Sequence, residues 1–297
     1  MNNESKNFYV SSRGLLKSCD FFSNTPHSSI KMLINYPSLN TINSYTVPTI
    51  YICSSAIPSF VNNLLPLINN NFILVSGDCD ETIPNDIFTE EQFFEFINNE
   101  KLVHWFCQNM IAKHKKITTI PIGLDYHTMV NRDIWGPKTT CADQEKILNL
   151  IKQKSKHFSE REVKCYANFH FLMNTRYGHD RLDAYTNINK NLVYYEKNKE
   201  TRIKCWNKQI KYGFVISPHG GGLDCHRTWE ALILGCIPIV KTSKIDHLFD
   251  DLPVLIVNDW SELTQELLNE TIKKFSNKTF NINKLTLEYW KKKINNI

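Results

Sequence analysis

Apolar positions in this chain fall into short runs separated by amphipathic stretches, the pattern of strands alternating with helices. From Val47 the pattern is sharp: Thr49 to Cys53 predicts a strand, Pro58 to Ile68 a helix entered through proline, and Phe72 to Ser76 a second strand. Strand, helix and strand in that order imply a parallel pair. Thr89-Glu-Glu-Gln92 reads as a capping box opening a helix to about Asn98, with further strands at Leu102 to Phe106 and Ile117 to Ile120. Residues 1–45 are polar and weakly periodic, and predict no definite element.

Residues 131–143 contain Gly-Pro and no apolar period, which places a domain boundary there and divides the chain into units 1–138 and 139–297. The alternation then restarts with a helix at about 143–155, a strand at Lys164 to Phe171, a helix after Arg181 and a strand at Leu192 to Tyr195. Beyond the segment 214–240, Pro253 to Val257 predicts another strand, and Asp259-Trp-Ser-Glu262 caps a helix to about Phe275. The last helix, Leu285 to Ile294, carries Leu285, Tyr289, Trp290 and Ile294 among lysines and is expected to pack back on the first unit. The expected fold is α/β, with two Rossmann-like, doubly wound domains facing a central cleft at the carboxyl ends of their strands.

Composition narrows the function classes. The 297 residues suffice for two domains, and 42% apolar with 22% charged residues describes a globular chain, not a disordered one. No apolar run approaches the ~20 residues of a membrane span, and the N-terminus has no apolar signal core, so neither a transmembrane segment nor secretion is expected. Nine cysteines without paired metal spacing predict reduced thiols and a cytoplasmic setting. A net charge of +5 spread along the chain argues against a nucleic-acid partner, and Lys291-Lys292-Lys293 reads as a solvated helix face.

The segment 214–240 holds the clearest chemistry. Phe214 to Ser217 reads as a buried strand, Gly220, Gly221 and Gly222 as a loop open to unusual backbone shapes, and Asp224 as the cap of a helix through Leu234 that Gly235 ends. A helix starting after such a loop turns unpaired N–H groups and its positive end toward the crevice, which suits a diphosphate. Arg227 and Glu230, three apart, share a helical face: the guanidinium fits phosphate oxygens and the carboxylate ribose hydroxyls, or the two simply pair on a solvated face. The glycines match neither the dinucleotide fingerprint nor the P-loop, which counts against a dehydrogenase or an NTPase.

Ser217-Pro-His-Gly-Gly-Gly-Leu-Asp-Cys-His-Arg-Thr-Trp-Glu-Ala-Leu-Ile-Leu-Gly-Cys-Ile-Pro-Ile-Val240, followed by Leu252-Pro-Val-Leu-Ile-Val-Asn-Asp-Trp260, resembles the donor-binding signature of exostosin-like glycosyltransferases, in the version carried by large DNA viruses. A looser resemblance covers Ser76 to Pro84, His104 to Asn109 and Ile120 to His127. It implies a GT-B fold, a nucleotide-sugar donor that is most often UDP-linked, inversion at the anomeric carbon, and no required metal or other cofactor. Glu230 would then hold ribose, while Arg227 and the Gly220 to Gly222 backbone hold the diphosphate, with Ser217, His219 and Asp224 in the same motif. Xylose, glucuronic acid, N-acetylglucosamine and galactose are donor sugars in that family, with a slight lean here to xylose, and the acceptor would be a hydroxyl of a glycan or glycoprotein. No segment of this chain resembles the membrane anchor of cellular exostosins, so a Golgi location does not carry over.

Inverting transfer needs a proton acceptor and positive charge for the departing diphosphate. Arg176 and Arg181, after the strand ending near Phe171, and Lys241, after Val240, are the additional candidate cations. The loop after Ser76 offers Asp78, Asp80 and Glu81, of which Asp80 and then Asp78 are the expected bases; His104 and His127 are weaker candidates. Asp78-Cys79-Asp80 also spells the D-x-D with which another glycosyltransferase architecture holds Mn²⁺, an alternative kept beside the metal-free one. A catalytically inactive relative that binds a glycan or nucleotide is the other open reading.

Overall fold

The structure, a computed structural model, describes residues 3–23, 39–171 and 173–297. Part of the weakly periodic N-terminal stretch, 1–2 and 24–38, lies outside the described residues, as does Leu172. Among those described, the chain forms eleven α-helices and two all-parallel sheets of four and five strands, an α/β architecture.

Two short helices, α1 (Ser12–Leu16) and α2 (Leu39–Asn43), precede the first sheet. That sheet runs in sequential order through β1 (Thr49–Cys53), β2 (Phe72–Gly77), β3 (Leu102–Cys107) and β4 (Ile117–Thr119). Every residue of β1 and β2 is buried, which is why their sequences are continuous rather than alternating apolar runs. Between β1 and β2 the expected long helix is shorter: α3 (Ile57–Asn63) stops and a 3-10 turn, Leu65–Leu67, follows. Pro66 has no N–H to continue an α-helix and disfavours the helical conformation at Leu65. The helix α4 (Glu90–Ile97) opens with the expected capping box, both reciprocal bonds between Thr89 and Gln92 being made.

After β4 come α5 (His127–Asn131) and α6 (Cys141–Lys154), and the chain then enters the second sheet. Its strands are β5 (Glu162–Ala167), β6 (Val193–Tyr195), β7 (Tyr212–Ile216), β8 (Ile237–Lys241) and β9 (Leu255–Val257), in the order β6-β5-β7-β8-β9. The intervening helices are α7 (Gly178–Asn187), α8 (Arg202–Gln209) and α9 (His226–Ile233), and α10 (Gln265–Ser276) and α11 (Leu287–Asn295) close the chain. Several boundaries move from the sequence expectation. β5 ends at Ala167 and leaves 168–171 as loop, α7 begins at Gly178, and the Asp259–Glu262 box caps a 3-10 turn while Thr264 caps α10. The helix α8 was not anticipated, because its buried face carries Arg202 and Gln209 beside Cys205 and Trp206.

The winding reverses in the second sheet. From β5 the chain moves outward to β6 and then returns past β5 to β7, so the loops leaving β5 and β7 flank a topological switch point, where ligands of open parallel sheets bind. One apolar cluster joins Trp105 of the first sheet to Trp206, Val215 and Trp229 of the second half and Trp290 of α11; a second lies around Phe214, Ile239 and Trp260. The five tryptophans in these clusters each donate the indole N–H to an acceptor: Trp105 to Ser76 Oγ, Trp206 to Glu230, Trp229 to Asp224, Trp260 to Asp180 and Trp290 to the Lys284 carbonyl. The chain end meets its beginning, with Val10 N donating to Leu285 O (3.0 Å) and Leu287 N to Phe8 O (2.9 Å). No described helix is long and apolar enough to cross a membrane.

Candidate functional site

Loops from the carboxyl ends of the two sheets touch. Asp224, after β7, accepts from Ile122 N, after β4 (2.7 Å); Asp224 N donates to Asn109, after β3 (2.9 Å); and Arg176, after β5, reaches the Asp80 carbonyl, after β2 (2.6 Å). At this junction lies the glycine loop. None of Gly220, Gly221 and Gly222 has positive φ, so the expected reason for them is replaced by another, close approach. A Cβ at Gly220 would stand 2.1 Å from Arg181 Nη2, at Gly221 2.0 Å from Asp80 Oδ2, and at Gly222 2.7 Å from Asn109 Nδ2.

Ser217 and His219 shape the loop from within. The Ser217 hydroxyl bonds Thr228 Oγ1 (2.8 Å), the His219 ring lies between the Leu223 and Lys241 carbonyls (2.8 and 3.1 Å), and the His219 backbone N–H donates to Asp180 (2.9 Å). Both side chains are buried and hydrogen-bonded within the fold. The expected cap is corrected: Asp224 does not cap α9, whose N-cap residue is Cys225 without a side-chain bond. Its carboxylate is spent on Ile122 N and the Trp229 indole, and burial pushes its pKa up to about 6.

The cations divide into two kinds. Lys241 is paired with Asp183 (2.6 Å), and Arg176 with Asp86 (3.0 Å). Arg181 and Arg227 have no carboxylate within ion-pair distance among the described residues. Arg181 donates to the His219 and His170 carbonyls (3.3 and 3.1 Å), and Arg227 to the Pro218 carbonyl (3.4 Å), its guanidinium 5.8 Å from the Phe169 ring centre. Arg227 is half-buried; burial lowers its pKa, and Arg181 pulls the same way. Burial also lowers the pKa of His170, aided by Arg227, Arg181 and Lys199. Arg181 and Arg227 both act on Cys225, the N-cap residue of α9, so two cations without a carboxylate partner among the described residues stand near that helix N-terminus.

Arg227 and Glu230 do not pair. Glu230 accepts from the Trp206 indole (3.0 Å) and faces Arg202 (3.3 Å), so its carboxylate is fixed in one orientation.

The expected bases point in different directions. Asp80 presses its carboxylate on Gly221, while Asp78, at φ 57°, turns to Arg13 of α1 (3.3 Å). Burial raises the Asp78 pKa, with Arg13 partly offsetting it. The D-x-D carboxylates thus have separate partners, and no group of three or more potential metal ligands occurs among the described residues. Glu81 lies beside Cys79. His104 sits within β3, bonded to Thr118 (2.9 Å). His127, at the start of α5, faces Asp125 (3.1 Å), and His226 of α9 reaches the Gly123 carbonyl (2.7 Å).

No family model matches the chain, and no curated protein does. A surface groove lined by Leu252, Ile256, Leu267 and Lys274 lies where the chain enters β9, the opposite strand end from the glycine loop.

Sequence reasoning missed Arg13, Asn109, Asp125, Arg202 and His226. Asp125 was within reach, two residues before His127; Arg13, in a stretch without periodicity, carried no signal.

Proposed function

We propose that this chain is an inverting glycosyltransferase of GT-B type, moving a sugar from a UDP-linked donor, with a lean to UDP-xylose, to a hydroxyl of a glycan or glycoprotein without a metal. The observation that carries the reading is the pair of guanidiniums without carboxylate partners, Arg181 and Arg227, converging on the glycine loop at the switch point. Two half-buried guanidiniums near one helix N-terminus, with no carboxylate beside either among the described residues, suit an anionic ligand. Two all-parallel sheets meeting through their carboxyl-end loops support the GT-B part of the reading. Glu230, held by Arg202 and Trp206, retains lone pairs for the ribose hydroxyls.

Thermal-shift titration of UDP, GDP and a panel of UDP-sugars tests it. UDP is expected to raise Tm with its concentration, as a ligand of the native state does, and the preferred donor is then expected to release UDP in the presence of EDTA. No stabilisation by any nucleotide would remove the reading; turnover abolished by EDTA and restored by Mn²⁺ would remove its metal-free part.

A further inference from the structure

Three buried polar atoms without an aligned hydrogen bond lie in one region: Arg13 Nε, Asp78 Oδ2 and His127 Nδ1. They come from α1, the loop after β2 and the start of α5, and His226 joins them from α9, close enough to act on the charges of both Asp78 and His127. Asp78 Oδ2 faces Arg13 Nη2 (3.3 Å) and His127 Nδ1 faces Asp125 (3.1 Å), so the region gathers buried charged and titratable groups in ion-pair geometry. The cluster adjoins the glycine loop, since Asp78 is two residues from Asp80, which touches Gly221, and His226 precedes Arg227.

Of the two imidazoles in the cluster, His127 is the one with a carboxylate at its ring nitrogen, Asp125 at 3.1 Å, while His226 Nδ1 meets the Gly123 carbonyl. Asp78 is tied to Arg13, and Asp80 is pressed on the loop that would carry the leaving group. Burial holds the His127 pKa down, at about 4, with Arg13, His226 and Arg202 pulling the same way against Asp125. Burial opposes the charge of Asp125, but His226, His127 and Arg202 more than offset it and keep the carboxylate ionised. A neutral imidazole beside an ionised aspartate carries its proton on the nitrogen facing the carboxylate, Nδ1. The 3.1 Å approach is oblique, as unliganded catalytic pairs often are. Nδ1 is buried while 22% of the side chain is exposed, so the exposed part of the ring lies elsewhere, and Nε2 keeps a free lone pair.

We propose that His127, positioned by Asp125, is the proton acceptor of the transfer, and that Arg13, Asp78 and His226 line the place of the attacking hydroxyl. This rests on the glycosyltransferase reading. The acceptor's O–H proton passes to His127 Nε2 as its oxygen bonds the anomeric carbon; the bond from that carbon to the diphosphate oxygen breaks, and its electron pair leaves with UDP beside Arg181 and Arg227.

The test uses the full chain, calorimetric UDP affinity, and hydrolysis of UDP-xylose, UDP-glucuronic acid, UDP-N-acetylglucosamine and UDP-galactose with water as acceptor. His127→Ala is expected to lose about 100-fold or more in kcat, to keep its UDP affinity, and to regain turnover with added imidazole. Asp125→Asn is expected to lower kcat without weakening UDP binding, and Asp80→Asn to cost less in kcat than His127→Ala. A His127→Ala enzyme with near wild-type turnover, or the reverse order of the His127 and Asp80 effects, overturns the proposal. Imidazole ¹⁵N shifts give a readout that needs no donor: His127 is expected neutral at pH 7 with its proton on Nδ1, and an imidazolium at that pH overturns the assignment. Failure of the wild type to bind UDP removes the transferase reading, whereas UDP binding with an undiminished His127→Ala removes only the base.

Discussion

Asp224 Oδ2, in the loop after β7, accepts a 2.7 Å hydrogen bond from Ile122 N, after β4, and so ties the carboxyl ends of the two sheets together. The same carboxylate takes the Trp229 indole N–H, and burial pushes its pKa up to about 6. Because the folded value lies above the unfolded one, the folded state binds the proton more tightly. The stabilisation this gives is present at low pH and is lost as pH rises through the window from about 4 to 6, by on the order of 2 to 3 kcal/mol. Asp224→Asn, which keeps an acceptor oxygen and removes the charge, is expected to flatten that part of the stability profile in urea denaturation between pH 4 and 7. Asp224→Ala strands two buried donors and is expected to cost roughly 2 to 4 kcal/mol. An unchanged pH profile in the Asn variant would show that Asp224 is not the titrating group.

Arg227 is expected to couple stability and ligand affinity with opposite signs. Its half-buried guanidinium has no carboxylate partner among the described residues, so Arg227→Met removes an unpaired charge while keeping an unbranched apolar side chain of similar length. The unliganded variant is expected to melt at or above the wild-type temperature. Its UDP affinity is expected to fall by about 1.5 to 3 kcal/mol, the weight of a charge-assisted bond. Differential scanning fluorimetry with and without UDP measures both, and equal UDP-induced shifts in the two proteins would remove the diphosphate role.

The glycine loop predicts a graded response to added methyl groups. At Gly221 a Cβ meets the tip of the Asp80 side chain, which can swing away, so Gly221→Ala is expected to cost about 1 kcal/mol or less, and Asp80→Ala should recover most of it. At Gly222 the Cβ meets Asn109, which is pinned by its bonds to Asp224 N and the Cys79 carbonyl. Gly222→Ala is therefore expected to cost more, about 1 to 3 kcal/mol. Chemical denaturation of the singles and the Asp80→Ala/Gly221→Ala double distinguishes this from a conformational need for glycine, under which the Asp80 change would recover nothing.

Much of the scaffold was legible because β1, β2 and β7 are buried runs and Thr89 with Gln92 forms a local capping signal. Such signals need only near neighbours. Asp224 was misread for the same reason: an aspartate just before a helix has the form of a cap, while the groups that claim it, Ile122 N and the Trp229 indole, depend on how two sheets meet. Arg227 and Arg181 could be chosen from their places after strands, but their lack of carboxylate partners could not be read, since Lys241 and Arg176 look equivalent in sequence and differ only in having Asp183 and Asp86 beside them. Arg13 and Asp78 come from segments 65 positions apart with no pattern linking them, so their meeting is a property of the fold alone.

Glu230 carries both a structural and a proposed ligand role, and the two can be separated. Glu230→Gln keeps an acceptor for the Trp206 indole but leaves the buried Arg202 without its carboxylate, a loss expected to reach about 3 kcal/mol. Adding Arg202→Met removes the stranded charge, at the loss of the guanidinium's contact over the Trp135 ring, and the double variant is expected to recover much of the stability. If Glu230 holds ribose through its negative charge, UDP affinity stays weakened in the double variant even as the urea midpoint returns. Recovery of both together, measured by urea denaturation and calorimetry on the same preparations, would assign Glu230 to the fold and leave the ribose to another group.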